Sequence, residues 1–426
     1  MFSREILPFF ILIVLVSSYE NCSVPFQPNA TKGFPILEPY SFNDTFEVVE
    51  LDNTTDAVCL DGTNYKFWFK RGHGSGLNKW MFNWQGAAFC GADGINILES
   101  CLTRSLGEYC SSNSLGDNGT IINSSVAWGY FSSLKDFNPM FYNWNKVFYL
   151  SCDGANHQGY LKEPVVYRDT KLWFRGFNNT MSTMEYLRTR YGLFNATEII
   201  LSGGSSGGLA TYPWMSYLQH YFPQNTKLMG LPDAGFFIDT YDDEAHCHLF
   251  RYLIQQLTQF VESQNNPLYQ YCRYYGTEEI WKCLIPQYIV DDIEIPVFIS
   301  NSQVDYEQLT NLNGVECIMN GSPTSCTAKD KKTIIKVREY FLARIFEIKE
   351  KKPKWGYFLR TCFEHTYCFT WAWYGTSMNV FNAEQGKEGS LREAFYEWYN
   401  NGTVREKSIS SYIDLIDWLH NPMCHY

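Results

Sequence analysis

Three features of the chain predict an α/β fold with a mostly parallel central sheet. Short apolar runs of strand length alternate with longer stretches of helical periodicity, the pattern of strands joined by crossover helices. Several of these runs are apolar on both faces, as buried parallel strands are. One of them, Glu198–Leu201, leads into a Gly-rich turn that opens a helical stretch.

In chain order, Tyr65–Phe69 alternates with period two, and Lys79–Trp84 continues the pattern beyond a Gly-rich turn. The two read as a hairpin. Lys146–Leu150, Glu198–Leu201 and Pro296–Ser300 read as buried strands, and Trp355–Leu359 as a weaker one. Met181–Tyr191, Gly207–Tyr221, Glu244–Val261, Lys331–Glu350 and Leu391–Asn400 carry helical periodicity. The stretch from Glu244 to Tyr288 is longer than one crossover helix needs and reads as a cap or lid. Glu20–Asp56 is rich in Pro and Asn and predicts few regular elements. The expected division is a signal peptide at 1–18, an N-terminal extension at 19–56 and a single domain at 57–426. No internal repeat or low-complexity block interrupts it.

Composition narrows the function. With 34 Lys+Arg against 45 Asp+Glu, the formal net charge is 34 − 45 = −11. That balance argues against a nucleic-acid partner, which needs clustered cations. Apolar residues at 45% supply a large core and exclude a disordered chain. Aromatics at 17% are enough to line a ligand cleft.

Arg4 followed by the apolar run Ile6–Val16 and the small Ser18 has the form of a cleaved secretory signal. The alternative, a retained signal anchor, needs a run that spans about 30 Å, and this one is short for that. No stable membrane insertion after cleavage is expected. The destination is the extracellular space or the endolysosomal lumen. All 14 Cys lie beyond the signal, and in an oxidising compartment they would most simply form seven disulfides. Cys317/Cys326 and Cys362/Cys368 are spaced for local bridges. Sequons at Asn21, Asn29, Asn43, Asn53, Asn118, Asn123, Asn178, Asn195, Asn320 and Asn401 agree with secretion and mark surface segments.

The most informative segment is Gly203-Gly204-Ser205-Ser206-Gly207-Gly208, between a strand run and a helical run. This is the nucleophile-elbow pattern G-x-S-x-G. The residues flanking the Ser are nearly free of side chains because the turn is sharp. Ser205 at the centre is the expected nucleophile, at a helix N-terminus whose N–H groups favour negative charge. Ser206 is the alternative, off the centre of the motif.

A serine nucleophile needs a base, and the base needs a carboxylate to hold its tautomer. This fold class orders them Ser, acid, His. His365, His420 and His425 follow in the chain, and His365 lies just after a strand run, whereas the other two sit in the C-terminal tail. Asp305 follows the run Val297–Ser300, at the carboxyl end where catalytic groups of open α/β sheets gather. Asp291, Asp292 and Glu294 precede that run and belong at its other end. Glu307 is near but reads as solvated. For the oxyanion, one donor is the N–H of Ser206, and the others are amides of the small-residue turn Gly86, Ala87 and Ala88, pinned by Cys90. His246-Cys247-His248 has metal-ligand residue types, but in an oxidised chain a bridged Cys247 is the better reading.

These residues resemble the pectin acetylesterase family and, more distantly, the Notum carboxylesterases grouped with it. Arg71-Gly-His-Gly-Ser-Gly76 with Trp80 is similar to the family's RGxGSGxxxW. Gln85-Gly86-Ala87-Ala88-Phe89-Cys90 stands where the family has EGGGWC. Asn138 to Lys146, then Cys152-Asp153-Gly154, resembles NPxFYNWNxV…CDG. Phe174-Arg175-Gly176, the Gly203–Gly208 block, Asp233–Phe237, Val297–Leu309 and Cys362–His365 follow in order, so the likeness runs from about Leu51 to His420. It implies an α/β-hydrolase-like fold and a secreted serine esterase with no metal or cofactor. It maps the nucleophile, acid and base onto Ser205, Asp305 and His365, and the oxyanion donors onto the amides of the Gly86–Ala88 turn and Ser206. Two departures matter. If either Ala of the turn adopts positive φ, strain of about 1 kcal/mol or more follows. The small Ala88 also stands where the Notum branch carries Trp, which favours the polysaccharide-deacetylating branch.

The expected reaction is removal of O-acetyl groups from a pectin-like polysaccharide by a monomer, through an acyl-enzyme. The alternatives are a lipid deacylase of the Notum kind, acting on an acylated protein, and an inactive glycan-binding relative.

Overall fold

The computed structural model describes residues 46–424, apart from 53–54, 93–95, 108–109, 113–119, 122–128, 244–245, 321–322, 369–372, 374–378, 383–385, 403–409 and 422. The signal, residues 19–45 of the extension, Cys22, His425 and the sequons at Asn21, Asn29, Asn43, Asn53, Asn118 and Asn123 lie outside the described residues.

The strands are β1 (Phe46–Glu50), β2 (Lys66–Lys70), β3 (Lys79–Trp84), β4 (Thr120–Ile121), β5 (Asn145–Tyr149), β6 (Val165–Tyr167), β7 (Thr170–Leu172), β8 (Glu198–Gly204), β9 (Lys227–Asp233), β10 (Phe298–Ser302), β11 (Gly356–Arg360), β12 (Val380–Asn382), β13 (Lys387–Gly389) and β14 (Ser411–Ile413). The helices are α1 (Ile97–Ser105), α2 (Gly176–Tyr191), α3 (Ser206–Leu218), α4 (Leu249–Phe260), α5 (Pro286–Ile289), α6 (Ala328–Lys351) and α7 (Leu391–Glu397). The main sheet runs β14-β11-β10-β9-β8-β3-β5-β2-β1-β4. Neighbours from β14 to β5 are parallel, and β2, β1 and β4 continue the sheet antiparallel. Every residue of β5, β10 and β11 is buried, so both faces of the sheet are covered there. The mostly parallel, helix-covered sheet is therefore as predicted.

Local chemistry sets the helix ends. Thr327 and Asp330 form a capping box at the start of α6, and Lys349 and Lys351 lie in its last turn, opposite the negative end of the dipole. Ser390 and Glu393 cap α7 in the same way. Gly192 closes α2 in the left-handed conformation. Helix α3 carries two Gly and a Pro but is buried almost throughout, so packing overrides its poor propensity. Trp84 of β3 stacks on Tyr149 of β5 at 5.3 Å and on Trp214 of α3 at 5.6 Å, and Trp214 stacks on Phe177 of α2 at 5.7 Å. This aromatic column fixes α2 and α3 against the strand that precedes the Gly86–Ala88 turn.

Several expectations are corrected. β2 and β3 do not form a hairpin, because β5 lies between them. Asn145, at the start of β5, accepts from the Gly72 amide and donates to the carbonyls of Gly76, Leu77 and Lys79. It thereby holds the connecting loop open around the inserted strand. Residues 46–50, in the stretch expected to hold few regular elements, form β1 of the main sheet.

Disulfides join Cys59–Cys152, Cys90–Cys101, Cys272–Cys283, Cys317–Cys326 and Cys362–Cys424, and Cys247 is also bridged. The local bridge Cys317–Cys326 forms as read. Cys362–Cys368 does not, and the seven-bridge count fails because Cys110 and Cys368 are buried free thiols. Burial pushes both thiols up, Cys110 to about 12, so neither holds a reactive thiolate at neutral pH. Of the described sequons, Asn195 is exposed. Asn178 sits in the first turn of α2 and is half-buried, with its side-chain oxygen covered.

Candidate active site

Ser205 stands between β8 and α3 with φ 57 and ψ −127, a conformation a residue with a Cβ holds only under restraint. The restraints come from close backbone packing. A Cβ on Gly203 would lie 2.3 Å from the Gly207 carbonyl oxygen, and one on Gly207 would lie 2.0 Å from the Trp84 carbonyl oxygen. The Ser205 amide donates to the Asp233 carbonyl at 3.0 Å, which ties the turn to the end of β9. The two glycines are therefore required by close contact.

The turn after β3 faces the serine turn. A Cβ on Gly86 would come within 2.9 Å of the Ser205 Cβ. The Ala87 and Ala88 amides converge on the Ser206 hydroxyl oxygen, at 2.9 and 3.0 Å. Their carbonyl side is pinned from behind. Arg104 Nη1 donates to the Ala87 carbonyl at 2.9 Å, and the Gln85 carbonyl lies 2.8 Å from His157 Nε2. A carbonyl can only accept, so the His157 tautomer carries its proton on Nε2. Ala88 has φ 55, so the strain anticipated for an Ala in this turn is present, and these bonds hold it. Cys90, bridged to Cys101, anchors the turn's far end.

Asp305 follows β10 and His365 follows β11. Nδ1 of His365 lies 3.1 and 2.9 Å from the two Asp305 carboxylate oxygens, and both side chains are almost fully buried. Nε2 of His365 is buried and has no hydrogen-bond partner among the described residues. Thr366, beside the histidine, packs near the serine turn: a Cβ on Gly204 would lie 3.5 Å from Thr366 Cγ2. The Phe237 ring stacks over the imidazole at 6.3 Å. Burial alone pushes the His365 pKa down, but the Asp305 carboxylate, with Glu307 and Asp233 behind it, raises it above the usual value for His.

The structure joins Asp305 to His365 and sets the Gly86–Ala88 turn against Ser205 and Ser206, while His365 Nε2 makes no hydrogen bond to Ser205. Glu307, read as solvated, is half-buried beside the imidazole, and burial raises its own carboxyl pKa. Arg104 and His157 had no motif to announce them, and Asp233, first residue of the Asp233–Phe237 block, carried no role there. Asp291 and Asp292 lie away from the triad, paired with Arg344 and Tyr274. His420 is largely exposed beside Asp417. His248 pairs with Asp239 at 3.0 Å. Among the described residues, no group of three His, Cys, Asp or Glu side chains is placed to hold a metal. A cleft of about 440 Å³ between α5 and α6, lined by Gln287, Tyr288, Tyr340 and Arg344 among others, contains none of the triad residues.

A parallel sheet whose C-terminal edge carries a serine turn, a carboxylate and a histidine in that chain order is the α/β-hydrolase arrangement, and the fold is of that class. A family model described as pectinacetylesterase matches residues 39–425, and the chain belongs to that family. It is accordingly an ester hydrolase. Pectin acetylesterase 5 of Arabidopsis thaliana is 26% identical over 387 residues, covering 88% of this chain and 84% of the relative. Pectin acetylesterase 4 of the same plant is 27% identical, covering 81% and 80%. The palmitoleoyl-protein carboxylesterase notum1a of Danio rerio is 26% identical over 273 residues, covering 61% of this chain and half of that protein. No helix among the described residues is long and apolar enough to cross a membrane.

Proposed function

We propose that this chain is a secreted serine esterase that removes O-acetyl groups from a pectin-like polysaccharide through an acyl-enzyme. The observation that carries the mechanism is the His365 imidazole, held at Nδ1 by both Asp305 oxygens, with its buried Nε2 making no hydrogen bond among the described residues and its neighbour Thr366 packed near Gly204 of the serine turn. The names of the plant relatives support the substrate class. The disulfides support the secretory route.

In the first step Ser205 Oγ bonds to the ester carbonyl carbon while its proton passes to His365 Nε2. The carbonyl π electrons move onto oxygen. The Ser206 amide and the Ala87 and Ala88 amides take up that charge, the latter two exchanging the neutral Ser206 hydroxyl for a charged and therefore stronger acceptor. The tetrahedral adduct collapses, the bond to the sugar oxygen breaks, and His365 returns its proton to that oxygen. Water then attacks the acetyl-serine with His365 again as base, releasing acetate. Asp305 stays ionised throughout and stabilises the imidazolium. Ala88 is exposed, so the turn is open to a polymer on that side.

The test is hydrolysis of p-nitrophenyl esters from acetate to palmitate by the purified chain, with Ser205→Ala as control. Turnover confined to acetate and propionate supports the reading. A maximum at long chains would reassign the substrate to a lipid acyl ester, and no Ser205-dependent turnover would remove the enzyme reading.

The raised imidazole pKa also sets a pH dependence. His365 must be neutral to accept the serine proton, so kcat/KM falls as pH drops through a value above that of an ordinary imidazole. Glu307→Gln removes one of the negative charges that raise it. The acid limb of the Glu307→Gln profile should therefore move to lower pH, leaving the variant relatively more active under mildly acidic conditions. A limb that stayed in place would show that Glu307 does not act on the imidazole.

A further inference from the structure

We propose that Asp233 is a positioning residue of this site, a single buried carboxylate that holds the histidine loop against the serine turn and supports the charge on His365. The proposal rests on the esterase reading for its effect on rate.

Asp233 ends β9 and is fully buried. One carboxylate oxygen accepts the amides of Tyr367 and Cys368, both at 2.7 Å. Those are the second and third residues beyond His365. The other oxygen accepts the Ser300 hydroxyl at 2.8 Å, from the strand that leads to Asp305. The backbone carbonyl of the same residue accepts the Ser205 amide. One residue therefore contacts the serine turn, the acid's strand and the base's loop.

The charge itself needs a reason. Asp233 forms no salt bridge with Lys or Arg among the described residues, and an ionised carboxylate in such a place is costly. A neutral acceptor would satisfy the two amides and the hydroxyl at lower desolvation cost. Burial accordingly raises the Asp233 pKa, while the Cys368 amide, the Ser300 hydroxyl, the Tyr367 amide and the His365 charge oppose the rise. In the other direction, Asp233 is one of three carboxylates, with Asp305 and Glu307, that raise the imidazole. The other titratable groups facing Asp233 are Tyr130, Tyr367 and Cys368, all buried with pKa values pushed further up, so none supplies a positive charge. The group that responds to the Asp233 charge is the imidazolium formed during turnover.

Two substitutions separate the roles. Asp233→Asn keeps an acceptor for the two amides but removes the charge. Asp233→Ala removes both. The His365 imidazole, followed by NMR titration of the full chain, should titrate at lower pH in both variants. For p-nitrophenyl acetate, kcat should fall by about 100-fold in Asp233→Ala with KM unchanged, the cost of a misplaced base. The Asn variant should recover part of that loss. A folded Asp233→Ala with wild-type kcat, or an unmoved imidazole titration in Asp233→Asn, would overturn the proposal. If Asp233→Ala does not fold, the Asn titration alone decides. That titration needs no substrate, so it stands even if the chain shows no Ser205-dependent ester hydrolysis.

Discussion

Ser205→Ala should lower kcat for p-nitrophenyl acetate by about a million-fold while leaving the thermal midpoint nearly unchanged. The loss is large because, in the proposed mechanism, the first covalent bond is made by the Ser205 oxygen. What survives is the slow attack of water on an ester held by the remaining donors. The stability side is equally specific. Alanine also carries a Cβ, so the strain at φ 57 persists, and the backbone bond to the Asp233 carbonyl is untouched. Steady-state kinetics with a thermal melt on the same preparation checks both halves. Appreciable turnover in a folded variant would move the nucleophile elsewhere, and the first place to look would be Ser206. Its hydroxyl is buried under the Ala87 and Ala88 amides and is poorly placed to attack, so this outcome is not expected.

Asp305→Asn should lower kcat by about 10,000-fold at neutral pH, with the fold retained. The Asp305 oxygens accept the Nδ1 proton of His365 and so leave Nε2 as the unprotonated base. An amide nitrogen in that place donates to Nδ1 and drives the proton to Nε2. The imidazole is then present, correctly placed and in the wrong tautomer. The imidazolium that forms during attack also loses its nearest negative charge. The measurement is kcat across pH together with a melt. Loss of less than an order of magnitude would mean that another carboxylate, such as Glu307, whose charge also acts on the imidazole, can substitute for Asp305.

Much of the site could be read in the sequence because its determinants are local. Gly203 and Gly207 are forced by contacts within a few residues of Ser205 and with the neighbouring strand, so the turn leaves a compact signature. The apolar runs of β5, β8, β10 and β11 announce themselves because strands buried on both faces must be apolar throughout. What was missed depends on distant contacts. β9 was not singled out, and its Gly230 and Pro232 interrupt the apolar run that marks the other buried strands. In the fold Gly230 is there because a Cβ would meet Met215 Sδ at 2.1 Å. The false hairpin has the same origin, since β5 arrives from about 60 residues downstream to separate β2 from β3. Cys362 and Cys368 are close in the chain but face different neighbours, Cys424 for one and the Asp233 amide-binding pocket for the other. Glu307 was misread because a carboxylate two residues from a catalytic acid looks solvated until the imidazole is placed beside it.

The bridge between Cys362 and Cys424 bears on when, during its manufacture, the molecule first becomes competent. Arg360, the last residue of β11, is buried and donates to the Met423 carbonyl and to Glu364, so the segment around residue 424 braces the loop that presents the base. The two cysteines are 62 residues apart, which at ordinary translation rates is about 3–12 s of synthesis. The bridge can form only after both cysteines have been made and an oxidant has acted, so the loop bearing His365 is tied to this segment later than it is synthesised. Bracing of that loop therefore depends on oxidation, and a reducing environment would leave it untied.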